Sequence, residues 1–148
     1  MVVPRFFLFL FLVWGFVGHV AFSADVTPAP DLPLISGDQF KYKVDQSKIP
    51  VVLDFWATWC APCKVYSPVI VETSKSYQGK MVFYKVDVSD FSNDKTVQNY
   101  SIQSLPTVLV IVKGQVVERW EGILKTKDLK SKLNQVLKTW GKPSVLKQ

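Results

Sequence analysis

Val51-Val52-Leu53-Asp54-Phe55-Trp56-Ala57-Thr58-Trp59-Cys60-Ala61-Pro62-Cys63-Lys64 holds both cysteines of the chain, two residues apart. Its first six residues are a near-continuous β-branched and aromatic run, the pattern of a strand buried on both faces. Pro62, with its fixed φ, suits the first turn of a helix. Beyond it Val65, Val69, Ile70 and Thr73 recur at helical spacing to about Tyr77, with Pro68 inside. A dithiol at the junction of a buried strand and a helix points to thiol–disulfide chemistry. Asp54 is the anomaly, because a buried carboxylate is costly unless it is paired or functional.

Composition narrows the choice. The chain has 148 residues, 48% apolar and 20% charged, which fits one globular domain with short appendages. Its one histidine, His19, precedes the domain. Two cysteines without histidine do not make a zinc site of about four N/S ligands. Covalent haem attachment needs Cys-x-x-Cys-His, and Lys64 follows the second cysteine. A Cys–His or Ser–His hydrolase lacks its base. No metal and no cofactor are therefore expected. The net charge of +6 reads as a solvated lysine-rich face, and no basic-aromatic stripe suggests nucleic acid.

Residues 1–24 read as a signal peptide. Arg5 is the charged start, Phe6 to Val17 the apolar stretch, and Ala21-Phe22-Ser23 the small-x-small pattern before cleavage. The competing reading is an uncleaved membrane anchor from Phe6 to Phe22, short against a span of ~20 residues. Either places the domain outside the cytosol. The bacterial periplasm fits best, with a secretory route as the alternative. Residues 25–33 form a proline-rich, semi-rigid linker with no expected role beyond spacing. The domain proper is expected over 34–141, with 142–148 as a tail that carries no retention signal.

Within the domain, Leu34-Ile35 reads as a short strand. Ser36 or Asp38 caps a helix to about Ser47, with Phe40 and Val44 on its apolar side. Met81 to Val88 reads as a buried strand and Asp94 to Tyr100 as a short helix. Thr107 to Val112 and Val116 to Glu121 are strands around a Lys113-Gly114 turn. A last helix from Thr126 carries Leu129, Leu133, Val136, Leu137 and Trp140 on one face. The order is that of an α/β fold, a mixed sheet flanked by helices on both faces.

The segment from Asp54 to Lys64 resembles the active-site segment of the thioredoxin family. Pro68, Ser76-Tyr77-Gln78-Gly79-Lys80, Lys85-Val86-Asp87, Leu105-Pro106-Thr107, Gly114 and Gly122 follow in matching order. The resemblance covers roughly Leu34 to Trp140 and implies the thioredoxin fold. It also implies a set of roles. Cys60 is the nucleophile, favoured as thiolate by the helix start. Cys63, more buried, resolves the mixed disulfide and closes a Cys60–Cys63 disulfide. A purely structural bridge would close too small a loop to stabilise much. Asp54 accepts the Cys63 proton and Lys85 faces and modulates it. Trp59, Ala61, Pro62, Ser104, Leu105 and a cis-Pro106 contact substrate. Trp56 packs in the core. Two departures stand out: Ala61-Pro62 where Gly-Pro is common, and Ser104 where Gly is common. The implied activity is reduction of disulfides in exported proteins, by a monomer recharged from a membrane or reductase electron donor. Oxidase or isomerase activity, and a binding module in which the dithiol is secondary, are the alternatives.

Overall fold

The computed structural model describes residues 31–140. The leader, linker residues 25–30 and the tail lie outside the described residues. Four strands, β1 (Val51–Trp56), β2 (Val82–Asp87), β3 (Thr107–Val112) and β4 (Gln115–Glu121), form one sheet in the order β2-β1-β3-β4. β2 runs parallel to β1, while β3 is antiparallel to both β1 and β4. Among the described residues three α-helices accompany them, α1 (Ala61–Lys75), α2 (Asp94–Asn99) and α3 (Thr126–Trp140), with a π-helical turn at Lys41–Asp45 and a 3-10 turn at Phe91–Asn93.

The period of two along β1 sorts its side chains between two cores. Val51, Leu53 and Phe55 join Val86, Leu109 and Ile111 on one face, covered by Ile35, Phe40 and Val44. Val52 joins Phe83, Val108, Val110 and Trp120 on the other, beneath Tyr66 and Ile70 of α1 and Leu129, Leu133 and Val136 of α3. Asp54 shares the parity of Val52, so it is carried toward α1. The mixed sheet with a covered face on each side is the α/β architecture that the sequence implies.

Several details differ from the sequence reading. Leu34 forms only a single parallel bridge with Lys85 rather than a strand. The first helix is short, with Lys41–Asp45 wound as a π-helix. Gly37, at φ 47°, has left-handed backbone that no right-handed helix admits, so the helix starts after it. Phe40 and Val44 are buried as expected. On α1, Val65 is 67% exposed, while Cys63, Tyr66, Ile70 and Thr73 are buried. Tyr66 lies one residue further on, about 100° around the helix, and takes the inward place. Trp140 ends α3 half-exposed. The last linker residues belong to the domain. Leu32 packs on the core, and the Pro33 carbonyl accepts the Lys85 N–H at 3.0 Å.

The β3–β4 hairpin turns on Lys113 and Gly114, both at positive φ, between the paired Val112 and Gln115. That backbone matches the right-handed strand twist. β4 is tied to α1 by the Trp120 indole N–H, which donates to the Tyr66 hydroxyl at 3.1 Å. Both residues are buried. Tyr66→Phe leaves that N–H without a partner and is expected to destabilise the domain by about 1–3 kcal/mol. The urea midpoint of the oxidised protein measures it, and an unchanged midpoint would show that the bond contributes nothing.

Candidate active site

Cys60 caps α1. Its backbone is extended (φ −81°, ψ 99°), its N–H donates to the Ala57 carbonyl at 3.1 Å, and Pro62 lies in the first turn. The Cys63 N–H donates to the Cys60 sulfur at 3.2 Å, and the two cysteines are joined in a disulfide. The free N–H groups of a helix start carry a partial positive charge. On reduction they stabilise a thiolate at Cys60. Cys63 is the more buried of the two cysteines only by a narrow margin, 3% exposed against 4%, and both pack against Trp56, Val88 and Leu105.

The surface around the disulfide comes from four loops. Trp59 is 70% exposed, its indole N–H donating to the Ser89 hydroxyl at 3.1 Å. Ala61 and Pro62 are exposed beside it, and Leu105 is half-buried. Pro106 follows a cis peptide bond, as expected. Its carbonyl accepts the N–H of Gly122 at 2.8 Å, where φ 77° turns the backbone back toward the loop. The Ser104 hydroxyl, absent where glycine stands, donates to Glu121 Oε2 at 2.5 Å. Arg119 holds the other oxygen of Glu121 and donates to the carbonyls of Tyr100 and Ser101. This clamp was not readable from the sequence. The β3–β4 pairing that sets Glu121 opposite Thr107 creates it.

Beneath the disulfide lies the buried acid. Asp54 is 3% exposed, and its Oδ1 has no hydrogen-bond partner among the described residues. Burial pushes its pKa from 3.8 up to about 7, against the pull of Lys85 and with a further push from Asp31. Lys85 is the register partner of Asp54 on β2 and is also 3% exposed. It faces Asp54 as expected, yet its ammonium bonds elsewhere. It donates to Asp31 at 2.8 Å and to the Ser67 hydroxyl at 3.4 Å, and it lies 3.9 Å from the centre of the Trp56 ring. Trp56 is thus more than core packing. Asp31 was missed because it sits among the prolines of the linker. A cavity of about 700 Å³ opens beside these groups, lined by Asp31, Trp56, Cys63, Ser67 and Lys85. No cluster of three His, Cys, Asp or Glu among the described residues is arranged to hold a metal.

The raised pKa of Asp54 makes a stability prediction. Between pH 3.8 and about 7 the folded protein keeps a proton that the unfolded chain has lost. Stability therefore falls as pH rises through that window and stays low above it. Asp54→Asn is expected to stabilise the oxidised protein by roughly 4 kcal/mol at pH 8, with the gain shrinking toward zero near pH 4. Urea unfolding at both pH values checks this, and a pH-independent gain would refute the titration.

The family model described as Thioredoxin matches residues 31–135. The thioredoxin of Synechocystis sp. is 37% identical over 105 residues, covering 71% of this chain and 96% of its own length. That of Haemophilus influenzae is 40% identical over 101 residues, covering 68% and 92%. Thioredoxin M4, chloroplastic, of Arabidopsis thaliana is 31% identical over 122 residues, covering 81% of this chain and 62% of its own length. The matched region starts at the residue that holds Lys85 and runs into α3, and the chain belongs to the thioredoxin family as a thiol–disulfide oxidoreductase with Cys60–Cys63 as its redox-active pair.

Proposed function

We propose that this reductase works outside the cytosol on disulfides of exported proteins, drawing electrons from a membrane or reductase donor. The observation that carries the chemistry is Cys60 at the cap of α1 with the Cys63 N–H on its sulfur. What supports the location is residues 1–24, a charged start, an apolar stretch and a small-x-small end. An oxidising compartment holds no thiol pool to recharge a reductant, so the donor would be specific.

The reduced protein begins as a Cys60 thiolate. It attacks one sulfur of the substrate disulfide. A Cys60–substrate bond forms, the substrate bond breaks, and the second sulfur leaves as thiolate and takes a proton. Cys63 then loses its proton to the Asp54 carboxylate and attacks the Cys60 sulfur. The Cys60–Cys63 disulfide forms, the Cys60–substrate bond breaks, and the other substrate sulfur leaves as thiolate and takes the second proton. The substrate has gained two electrons and two protons. Asp54, with a pKa of about 7, is matched to proton transfer near neutral pH. Lys85 modulates it. Trp59, Ala61, Pro62 and Leu105 supply an apolar docking surface. The Ser104-Leu105 backbone before Pro106 pairs with an extended substrate segment as an added strand. The domain acts as a monomer.

Cys60→Ser is expected to abolish insulin reduction, whereas Cys63→Ser accumulates a mixed disulfide with substrate on non-reducing gels. Insulin reduction at the wild-type rate by Cys60→Ser would sink the assignment of the nucleophile. Run in the native compartment, the Cys63→Ser trap also names the substrates. For location, residues 1–33 are fused to alkaline phosphatase, which folds actively only where its disulfides form. An active fusion is expected, and an inactive but expressed one would overturn export.

A further inference from the structure

We propose that Asp31 is a positioning residue for the proton-transfer step: by engaging Lys85 it keeps that cation from settling on Asp54, and so ties the segment entering the domain to the resolving chemistry at Cys63. The inference rests on the reading of Asp54 as the proton acceptor.

The geometry begins with Lys85. A buried ammonium needs a partner. Parallel pairing sets Lys85 beside Asp54 on the same face of the sheet, which makes Asp54 the obvious one. The structure gives it a different anion. Asp31 accepts from Lys85 at 2.8 Å, with its own side chain 61% exposed against 4% for the lysine. The backbone explains how Asp31 arrives there. The Lys85 N–H donates to the Pro33 carbonyl at 3.0 Å, and the Lys85 carbonyl accepts the Ile35 N–H at 2.9 Å. The entering chain is thus laid along β2 at Lys85 itself. Leu32, partly buried, packs against the core, and Asp31 falls over the ammonium.

The other groups around Asp54 do not take this part. β3 offers Val108, its antiparallel register partner, which carries no charge. α1 offers Cys63, Tyr66 and the Ser67 hydroxyl. Tyr66 has its own ionisation disfavoured by burial and by Asp54. Lys64 and Glu72 line the outer cavity from α1, and Glu72 is paired with Lys75 at 2.6 Å. Of the charged groups, Lys85 and Asp31 are those whose fields reach Asp54.

The two actions of Asp31 share a sign. Its negative charge disfavours a second anion at Asp54, and its bond to Lys85 occupies the cation that would favour one. Both keep Asp54 a stronger base than a carboxylate beside a free lysine. Without Asp31 the buried ammonium is left with Asp54, its register partner on the adjacent strand. An opposite charge within about 4–6 Å lowers a carboxyl pKa by roughly 1–3 units. A weaker base draws the Cys63 proton less readily, so mixed-disulfide resolution slows.

The test uses the full chain as wild type, Asp31→Asn and Asp31→Glu. The Asp54 carboxyl is titrated by carbon-13 NMR in the oxidised protein. Resolution of a preformed Cys60 mixed disulfide is timed against pH by stopped flow. In wild type the Asp54 midpoint is expected near 7. In Asp31→Asn it should fall by about one pH unit. The resolution profile should move to lower pH by the same amount, with a lower alkaline plateau. Asp31→Glu should restore both. An unmoved Asp54 midpoint in Asp31→Asn would overturn the coupling. A shifted midpoint with an unmoved rate profile would overturn the proposal from its other side, by removing Asp54 as proton acceptor. Asp31 is exposed, and the urea midpoint of Asp31→Asn confirms that the variant is folded.

Discussion

A carboxylic acid in the middle of the central strand is the constraint around which this domain is arranged. β1 is flanked by β2 and β3, and its other residues are apolar. Asp54 at that place costs stability whenever it is ionised, which is why its proton is held to about pH 7. Apolar packing alone would favour a hydrocarbon side chain there. A sheet tolerates such a violation where a site needs it, and the groups that ease it cluster within reach. Lys85 stands beside Asp54 by strand register, Cys63 lies one turn into the helix that follows β1, and a cavity opens between them.

Period two and the parallel β1–β2 pairing place these groups without any special loop. Residues at alternate positions of β1 turn toward α1, and Asp54 is among them. The chain leaves β1 and starts α1 within four residues, so the disulfide is fixed at the end of the same strand that carries the acid. The opposite wall comes from β3 and β4. Pro106 immediately precedes β3, its carbonyl is bonded by Gly122 past the end of β4, and Glu121 grips Ser104. The loop of Ser104, Leu105 and Pro106 beside the disulfide is thereby fastened to a strand rather than left to itself. Arg119 extends that fastening to the backward turn at Ser101, where φ is 48°. Precise presentation of a binding loop by rigid elements is what a strand-adding docking mode requires.

The sequence was most legible where burial is two-sided or strongly one-sided. The bounds of β1 and β3 could be read to the residue, because six apolar or nearly apolar residues leave no other assignment. α3 was readable from its spaced leucines. The dithiol, its helix start and the cis-proline loop were readable as a motif. Periodicity failed where a single residue decides the phase. Val65 and Tyr66 are both bulky and adjacent, and the inward place went to Tyr66 because its hydroxyl finds the Trp120 indole across the core. Gly37 decided between the two possible starts of the first helix, in favour of Asp38, through one backbone angle. The Asp31–Lys85 pair joins residues 54 apart in sequence and depends on a bridge one residue wide. The surrounding prolines argue for a detached linker. Nothing local marks the aspartate as part of a site, so composition pointed the wrong way.

The burial of Cys60 and Cys63 differs only slightly, which brings electrostatics into their division of labour. If access distinguished them, a small shift of the surrounding loops would exchange their roles. Both residues are nearly buried, so the electrostatic difference between their positions adds to a small difference in burial. Cys60 sits at the positive end of α1, where an anion is favoured. Cys63 lies one turn along and lines the cavity shared with Lys85 and Asp31. An ionised Asp54 beneath it disfavours a second anion there, and a neutral Asp54 does not. In the proposed mechanism the helix start sets which sulfur is a thiolate at rest, and the protonation of the buried acid sets when the other can become one. Three separate pieces of the chain supply that control: the start of α1, the middle of β1, and the few residues by which the chain enters the domain. The last of these is the least constrained by the core, so it is where the timing of the second step can change without disturbing the first.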